Sequence, residues 1–222
     1  MTDLIQKTAD FAKATLENEG SGHDWWHVWK VWQNSINIAA GELKTNPDID
    51  LEMIELTALL HDIADWKNTG DEKSGGRVAK QWLLQNQYST EKAEQIANII
   101  DEMSFKGANT KSQTLSLEGQ IVQDADRLEA IGAMGIARTF TYGGSKGREI
   151  YNPNIPSTSH STFEQYRNSK SHTLNHFYEK LLLLKDRFNT QTAKVVAKKR
   201  HEFMELFLKQ FYTEWNNQDF EK

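Results

Sequence analysis

The sequence predicts an all-α fold, and three observations lead to that prediction. Only three prolines interrupt the 222 residues. The long stretches between them carry apolar residues three and four positions apart, the spacing of an amphipathic helix. No run of alternating β-branched residues bounded by turn dipeptides predicts a strand, although short antiparallel pairing around 141–156 stays open.

The apolar periodicity predicts eight helices. In chain order they cover residues 2–19, 27–43, 50–64, 72–87, 90–104, 115–140, 171–188 and 190–216. Asp50 and Thr190 precede two of them as N-caps, because a side-chain oxygen there can accept a bond from a free amide of the first turn. The segment 105–113 is polar and reads as a loop. The segment 142–162 holds three glycines and two prolines, and long excursions of this kind are often binding loops or lids.

No linker divides the chain. We therefore expect one domain over residues 1–222, with its core motifs in 20–140 and its C-terminal helices in 171–216. Hydrophobic residues make up 38% and charged residues 26% of the chain, which is ordinary for a globular domain with a substantial core.

Charge and composition narrow the classes of function. The formal net charge of -5 argues against a nucleic-acid-binding protein, which needs a basic face, but not against a small anionic ligand. The chain has no cysteine, so any metal site must use histidine and carboxylate ligands. No apolar run approaches the ~20 residues of a membrane span, and the N-terminus lacks the pattern of a signal peptide. We therefore expect a cytoplasmic protein with no membrane segment.

An adjacent histidine and aspartate end the apolar run "TALLHDIADWK", which covers residues 57–67. Burial of such groups is costly without a partner, and a divalent cation is one partner that both can share. His27 and Asp126, each on a different predicted helix, could complete a mixed nitrogen and oxygen set around it. Such a set suits manganese, iron, nickel, zinc or magnesium.

The ordered set His27, His61-Asp62 and Asp126 resembles the H…HD…D signature of the HD-domain metal-dependent phosphohydrolases. Around it, "HVWKV", "LLHDIAD" and "DADRLEAIG" are similar to the family's first-histidine, central and last-aspartate motifs. The likeness extends to a bacterial subfamily with "GHDWWH", "SFKG", "QDADRLEAIGAMGIARTF" and "HFYEKLLLLKD" in this order. It covers the chain from residue 20 to about 215.

Members of that subfamily cleave nucleoside triphosphates to monophosphate and pyrophosphate. The resemblance thus implies a nucleotide phosphohydrolase that uses a metal-activated water. It implies the metal ligands His27, His61, Asp62 and Asp126. Two-metal members bring further histidines between the HD pair and the last aspartate; this chain has none there, so one divalent ion (Mn, Mg, Ni, Fe or Zn) is expected.

Two ligand positions have a competitor nearby. The family's spacing to Val31 favours His27 over His23, and its "ADR"-like triplet favours Asp126 over Asp124. His23 is then expected near the substrate or at the start of a helix. Asp124 is expected behind a ligand histidine or at the surface.

The resemblance also suggests catalytic and substrate-binding residues. Asp65 occupies a position where related enzymes carry a carboxylate that assists proton transfer, and it shares a helix face with His61; a salt bridge to Lys67 is the alternative. Lys67 is a second catalytic candidate, as a contact to phosphate. The substrate-binding candidates are His23, Lys106, Arg127, Arg138, His176 and Lys180. Arg127 and Arg138 are eleven residues apart on one predicted helix, so one wall could present both, whereas His176 could equally be a buried structural histidine.

Three other functions compete with this one. A zinc peptidase would use "HDWWH" as an HExxH motif, but its acid is aspartate, "GSG" before it disfavours a helix, and His61-Asp62 would go unexplained. A phosphodiesterase or nucleotidase of the same superfamily differs only in the bond that it cleaves. A non-catalytic helical module could keep the metal for stability or ligand sensing. The expected partner is a small-molecule nucleotide, with no nucleic acid, and homo-oligomerisation stays open.

Overall fold

The structure, a computed structural model, describes residues 2–17, 23–64, 74–103, 115–158 and 171–220. Every regular element within these ranges is helical, which confirms the predicted all-α class. The elements are α1 Asp3–Thr15, α2 Trp25–Glu42, α3 Leu51–Leu60, α4 Ser74–Gln85, α5 Thr90–Met103, α6 Leu117–Glu129, α7 Gly132–Ser145, α8 Asn175–Glu179, a 3-10 helix Leu181–Arg187 and α9 Gln191–Trp215. None of the helices in these ranges is long and apolar enough to cross a membrane.

Helix α3 lies at the centre of the fold. Its sequence, "LEMIELTALL", is apolar on nearly every side, and a helix of that kind is stable only when other helices surround it. It packs against α1, α2, α5 and α6. As predicted, the Asp50 carboxylate caps it by accepting a bond from the Met53 amide at 3.0 Å. The helix ends at Leu60, so the following histidine and aspartate stand at the edge of the core.

Helices α2 and α6 pack against α3 and against each other. Asp24 is the N-cap of α2, with its side chain accepting a bond from the His27 amide at 3.0 Å. Ser116 caps α6 in the same manner. Val28 and Val31 of α2 and Ile121 of α6 are fully buried. The packing thus brings the first turn of α2 and the last turns of α6 toward the end of α3.

The prediction of a single helix over 115–140 is wrong, because the helix is interrupted between α6 and α7. Ile131 is extended and Gly132 adopts a φ of +76°, a conformation that favours glycine. A side chain at Gly132 would also press on Arg200, whose nearest atoms lie 3.0 Å from the added carbon. The expectation that one helix wall presents Arg127 and Arg138 therefore fails.

Two further expectations need correction. The excursion predicted from residue 142 begins later, because α7 continues to Ser145. Gly143 is buried in that last turn, where a side chain would lie 2.2 Å from Thr173 Oγ1. The helix predicted over 171–188 is instead the short α8 followed by the 3-10 helix, with a break at Lys180, whose φ is -141°. Residues 159–170, like Asp65, Lys67 and Lys106, fall in the stretches outside the described residues.

Two buried carboxylates hold the start of α9. Asp124 is completely buried and accepts bonds from the Thr190 amide at 2.7 Å and the Asn189 amide at 2.9 Å. Glu42, at the end of α2, accepts a bond from the Thr192 amide at 2.9 Å. A carboxylate at a helix N-terminus is favoured by both the free amides and the helix dipole. Asp124 thus lies neither at the surface nor behind a ligand histidine, as had been expected, but joins α6 to α9.

Replacement of Asp124 by alanine should destabilise the fold. The variant leaves the amides of Asn189 and Thr190 buried without an acceptor, which should lower the free energy of unfolding by roughly 3 kcal/mol. Urea denaturation followed by circular dichroism measures this loss. Asp10→Ala, which removes an exposed carboxylate, is the control, and equal effects of the two substitutions would contradict the capping role.

Candidate metal centre

Histidine and aspartate side chains from three helix ends meet at one point. His27 lies in the first turn of α2, His61 and Asp62 directly follow α3, and Asp126 lies in α6. His27 Nε2 is 3.5 Å from Asp126 Oδ1 and 3.7 Å from Asp62 Oδ2. The rings of His27 and His61 have centroids 5.4 Å apart. The structure therefore brings together the four residues that were predicted as metal ligands.

The local backbone prepares His61 to bind a cation. Its Nδ1 is 2.8 Å from the carbonyl oxygen of Ala58. Since a carbonyl oxygen only accepts, Nδ1 must carry a hydrogen, and in the neutral ring the lone pair is then on Nε2. Nε2 is buried and has no hydrogen-bond partner within the described ranges of the chain. A metal-binding histidine shows this arrangement, with one nitrogen bonded to a carbonyl and the other turned toward the ion.

His27 is the most buried member of the cluster, with 4% of its surface exposed. Neither ring nitrogen has a hydrogen-bond partner in the part of the chain that the structure describes. Burial, and then the positive charge of Arg138, lower the pKa of His27 well below its usual value. The ring is therefore neutral at physiological pH and can offer a lone pair.

A divalent cation fits this group. Two ligands that bind one ion at about 2.1 Å lie roughly 3.0 to 3.4 Å apart, depending on the coordination angle. The separations of 3.5 and 3.7 Å around His27 Nε2 are close to that range and too long for good hydrogen bonds. Selected donor atoms of His27, His61 and Asp126 all lie within 4.8 Å of one another, and so do those of His23, His27 and Asp62. The two groups share His27, whose Nε2 faces both Asp62 and Asp126, so one ion beside that nitrogen would reach ligands of both groups.

His23 supports Asp62. Its Nδ1 lies 2.7 Å from Asp62 Oδ2. Burial by itself would raise the pKa of Asp62, but His23, followed by His61 and His27, lowers this pKa well below its usual value. Asp62 is thus ionised, as a metal ligand must be. His23 holds that carboxylate from the side, which sequence reasoning did not foresee.

The zinc-peptidase alternative does not fit this geometry. Its motif needs two histidines and an acid on one continuous helix, with the acid serving as base. Here α2 begins only at Trp25, after His23. Asp24 is engaged in capping the amide of His27, so the acid of "HDWWH" has a structural task.

Among the predicted phosphate contacts, Arg138 and Arg127 have different surroundings. Arg138, on α7, lies close enough to His27 for its charge to lower the pKa of that histidine. The guanidinium of Arg127 instead donates to the carbonyl of Arg187 and lies 3.8 Å from Asp124. Arg127 is nearly buried there, with 11% of its side chain exposed. It joins α6 to the end of the 3-10 helix.

His176 and Lys180 share a basic region with a residue that sequence reasoning missed. Burial, then Lys180 and Arg148, lower the pKa of His176 to about 3. Arg148 and Lys146 also lie over the ring of Tyr142, at 5.8 and 5.6 Å from its centroid. The run Lys146-Gly147-Arg148 directly follows α7 and could have been noticed as a basic pair. Its place beside His176 depends on hydrogen bonds between residues 149–150 and 173–174, which no local pattern announces.

Comparisons with known proteins show which family the chain resembles. Residues 25–131 match the model of the HD domain. YpgQ of Bacillus subtilis is 36% identical over 201 residues, which cover 90% of this chain and 88% of YpgQ. An HD-superfamily hydrolase from Bacillus thuringiensis superposes with a TM-score of 0.72 at 42% identity, covering 96% of both chains.

Two further crystal structures are similar along nearly the whole chain. A Lactobacillus plantarum protein superposes with a TM-score of 0.83 at 36% identity, covering 98% of this chain and 99% of its own. The structure of YpgQ in complex with ADP gives a TM-score of 0.71 at 31% identity in the superposition, covering 95% of this chain and 94% of YpgQ.

The cluster predicts a defined metal stoichiometry. Purified protein should contain one divalent ion per chain, measured by inductively coupled plasma mass spectrometry. His61→Ala and Asp62→Ala should lose it, because each removes a ligand. His201→Ala serves as a matched control, since His201 is also a buried histidine but stands on α9 outside the cluster. Unchanged metal content in both ligand variants would refute the site.

The acid stability of the protein should depend on His176. Its pKa is about 3 when folded and near the usual 6.5 when unfolded. Between these values only the unfolded chain binds the proton, so His176 makes stability fall as the pH falls. In urea titrations at several pH values, His176→Gln should remove up to about 1.4 kcal/mol per pH unit of that slope. Parallel curves for the two proteins would contradict the buried, neutral histidine.

Proposed function

Because the chain belongs to the HD domain family, we propose that it is a divalent-metal-dependent phosphohydrolase that acts on a nucleotide. We propose as its reaction the cleavage of nucleoside triphosphates to monophosphate and pyrophosphate. The observation that carries the proposal is the pair of ligand groups that share His27, one with His61 and Asp126 and the other with His23 and Asp62. Among the described residues, three buried nitrogens of His27 and His61 have no hydrogen-bond partner.

The ligand class rests on a relative and on charge. YpgQ, which covers nearly the whole chain, binds ADP in its crystal structure. In this protein Arg138 stands beside His27, where a guanidinium can contact a phosphate through two hydrogen bonds. A nucleotide whose phosphates lie against the cluster and Arg138 accounts for both observations. The choice of the bond between the α and β phosphates comes from the resemblance to the pyrophosphate-releasing subfamily.

Each residue near the site has a defined task in the proposed mechanism. The ion, when bound, supplies a low-pKa water and polarises a phosphoryl oxygen. The Ala58 carbonyl holds His61 with Nε2 free, and His23 holds Asp62 in its ionised form. Arg138 balances the negative charge that develops on the phosphoryl group as the bond breaks.

Groups farther from the cluster would hold the leaving phosphates, through the charges of Lys180 and Arg148 and through a hydrogen bond from the neutral ring of His176. We assign this task to His176, Lys180 and the neighbouring Arg148, which lie together in the basic region after α7. We leave Arg127 out, because its guanidinium is engaged by Asp124 and the Arg187 carbonyl. Asp65, as a guide for the proton, and Lys67 and Lys106, as phosphate contacts, stay in the proposal on the strength of the sequence.

A nucleotide panel tests the proposal. Metal-free protein is first loaded with manganese. Separate samples are then incubated with nucleoside triphosphates, diphosphates, monophosphates or cyclic nucleotides, and the products are separated by anion-exchange chromatography. We expect monophosphate and pyrophosphate in equal amounts from a triphosphate, with turnover lost in Asp62→Ala and in excess chelator.

Other outcomes would favour other functions. Release of orthophosphate would favour a nucleotidase, and opening of a cyclic nucleotide would favour a phosphodiesterase. Manganese bound at one ion per chain with no turnover of any nucleotide would favour the non-catalytic module. Full activity in excess chelator would contradict the metal-dependent mechanism.

Loss of Arg138 should lower the catalytic efficiency toward the substrate and leave metal binding unchanged. Arg138→Ala is expected to lower kcat/KM for the best triphosphate by roughly 100-fold, since one charge-assisted phosphate contact contributes about 2 to 3 kcal/mol. The metal content should stay at one ion per chain. Lys198→Ala, a change on the exposed side of α9, is the control for loss of one positive charge. A variant with normal kinetics would remove Arg138 from the site.

A further inference from the structure

A buried carboxylate joins the two helices that carry His27 and Asp126. Glu129, the last residue of α6, is only 1% exposed. Its Oε1 accepts a hydrogen bond from Asn34 Nδ2 of α2 at 2.8 Å. The guanidinium of Arg200, on α9, lies 3.4 Å from the same oxygen and also donates to the carbonyl of Leu128. One carboxylate therefore connects three helices.

The bridge has a fixed relation to the metal cluster. Asn34 follows His27 by seven residues, about two helical turns, so both project from the same face of α2. Glu129 follows Asp126 by three residues, which also places them on one side of α6. The hydrogen bond between Asn34 and Glu129 thus sets the alignment of α2 with α6. It lies about two helical turns from His27 along α2 and about one turn from Asp126 along α6.

We propose that Glu129 is a positioning residue for the metal centre. Its carboxylate, held by Arg200, keeps α2 aligned with α6 so that His27 Nε2 and Asp126 Oδ1 stay 3.5 Å apart. The proposal rests on the proposed metal site. It places part of the support of that site on α9, outside the region 25–131 that matches the HD domain model.

Packing alone gives no reason for a charge at this position. A buried carboxylate loses its hydration, and apolar replacements of buried ion pairs are often neutral or stabilising. Glu129 Oε2 is buried and has no hydrogen-bond partner among the described residues, which adds to that cost. In return, a carboxylate that receives directed donors from two helices permits only one alignment of them. Apolar contacts would tolerate small shifts, and a ligand set needs its donors held within about 0.5 Å.

The test compares two buried glutamates of the same type. Glu129→Gln keeps the shape and the acceptor for Asn34 but removes the charge that holds Arg200. Glu42→Gln is the matched control, because Glu42 is also buried and accepts a bond from α9, through the Thr192 amide, but it does not join α2 to α6. Isothermal titration of metal-free protein with manganese gives the Kd, and thermal unfolding gives the stability.

Loss of a direct contact to a ligand typically weakens metal binding by 10- to 100-fold. Glu129 acts through the helices and touches no ligand, so we expect the lower end of that range, a Kd roughly tenfold weaker in Glu129→Gln. The stoichiometry should stay at one ion per chain, and Glu42→Gln should bind within about twofold of the wild type. Arg200→Ala should weaken binding in the wild-type background and add little to Glu129→Gln, because the two residues act as one unit. Should Glu129→Gln fold poorly, Asn34→Ala removes the bridge from the side of α2 and should weaken binding to a similar extent.

Two results would overturn the proposal alone. One is a wild-type Kd in Glu129→Gln together with a lowered melting temperature, which would make Glu129 a residue of the fold only. The other is equal weakening by Glu42→Gln, which would show that any loosening of α9 has the same effect. If the wild-type protein bound no manganese, the metal site itself would fail, and this proposal with it.

Discussion

Three imidazole nitrogens lie buried at the meeting point of α2 and α3 with no hydrogen-bond partner among the residues that the structure describes, and the rest of the site depends on that arrangement. His27 Nδ1, His27 Nε2 and His61 Nε2 are all in this condition. A buried polar atom left unpaired costs about 1 to 3 kcal/mol, so the cluster destabilises the fold unless a ligand binds to these nitrogens. A divalent cation resolves the cost for His27 Nε2 and His61 Nε2, with Asp62 and Asp126 supplying negative charge. An ion held by these residues would thus stabilise the protein, because a ligand that binds only the folded state raises its stability.

The surrounding helices explain how this polar cluster of histidines and aspartates is accommodated beside an apolar core. The ligands occur at helix ends, where the central helix α3 stops and where Asp24 caps the start of α2. At a helix end, backbone amides or carbonyls have no partner within the helix, so polar groups gather there. The break at Gly132 redirects the chain after α6, so that Arg138 approaches His27 from α7. Carboxylates at Asp124, Glu42 and Glu129 then fasten α9 across α2 and α6. The metal cluster and the contacts that hold the fold therefore lie on the same helices, and a substitution in one should alter the other.

Local patterns in the sequence predicted those features that depend on local physics. Apolar periodicity found the helices, and the caps at Asp50 and Thr190 occur as predicted, because capping involves only the next three residues. The prediction that His27, His61, Asp62 and Asp126 would meet came from the resemblance of their motifs to those of the HD-domain family, not from local physics. The break at Ile131 and Gly132 was missed, since a glycine within an apolar helical pattern does not by itself show a φ of +76°. Asp124, Arg127 and Arg148 were misplaced or missed because their partners stand 28 to 66 residues away along the chain, and a sequence pattern does not reveal tertiary partners.

The most direct measurement of the central claim is the position of the ion itself. A crystal of the protein grown with manganese, with data collected above and below the manganese absorption edge, gives an anomalous difference map. The account predicts one strong peak per chain, at about 2.0 to 2.3 Å from atoms of His27, His61, Asp62 and Asp126. A map with no peak among these four residues, or with its peak on other side chains, would contradict it.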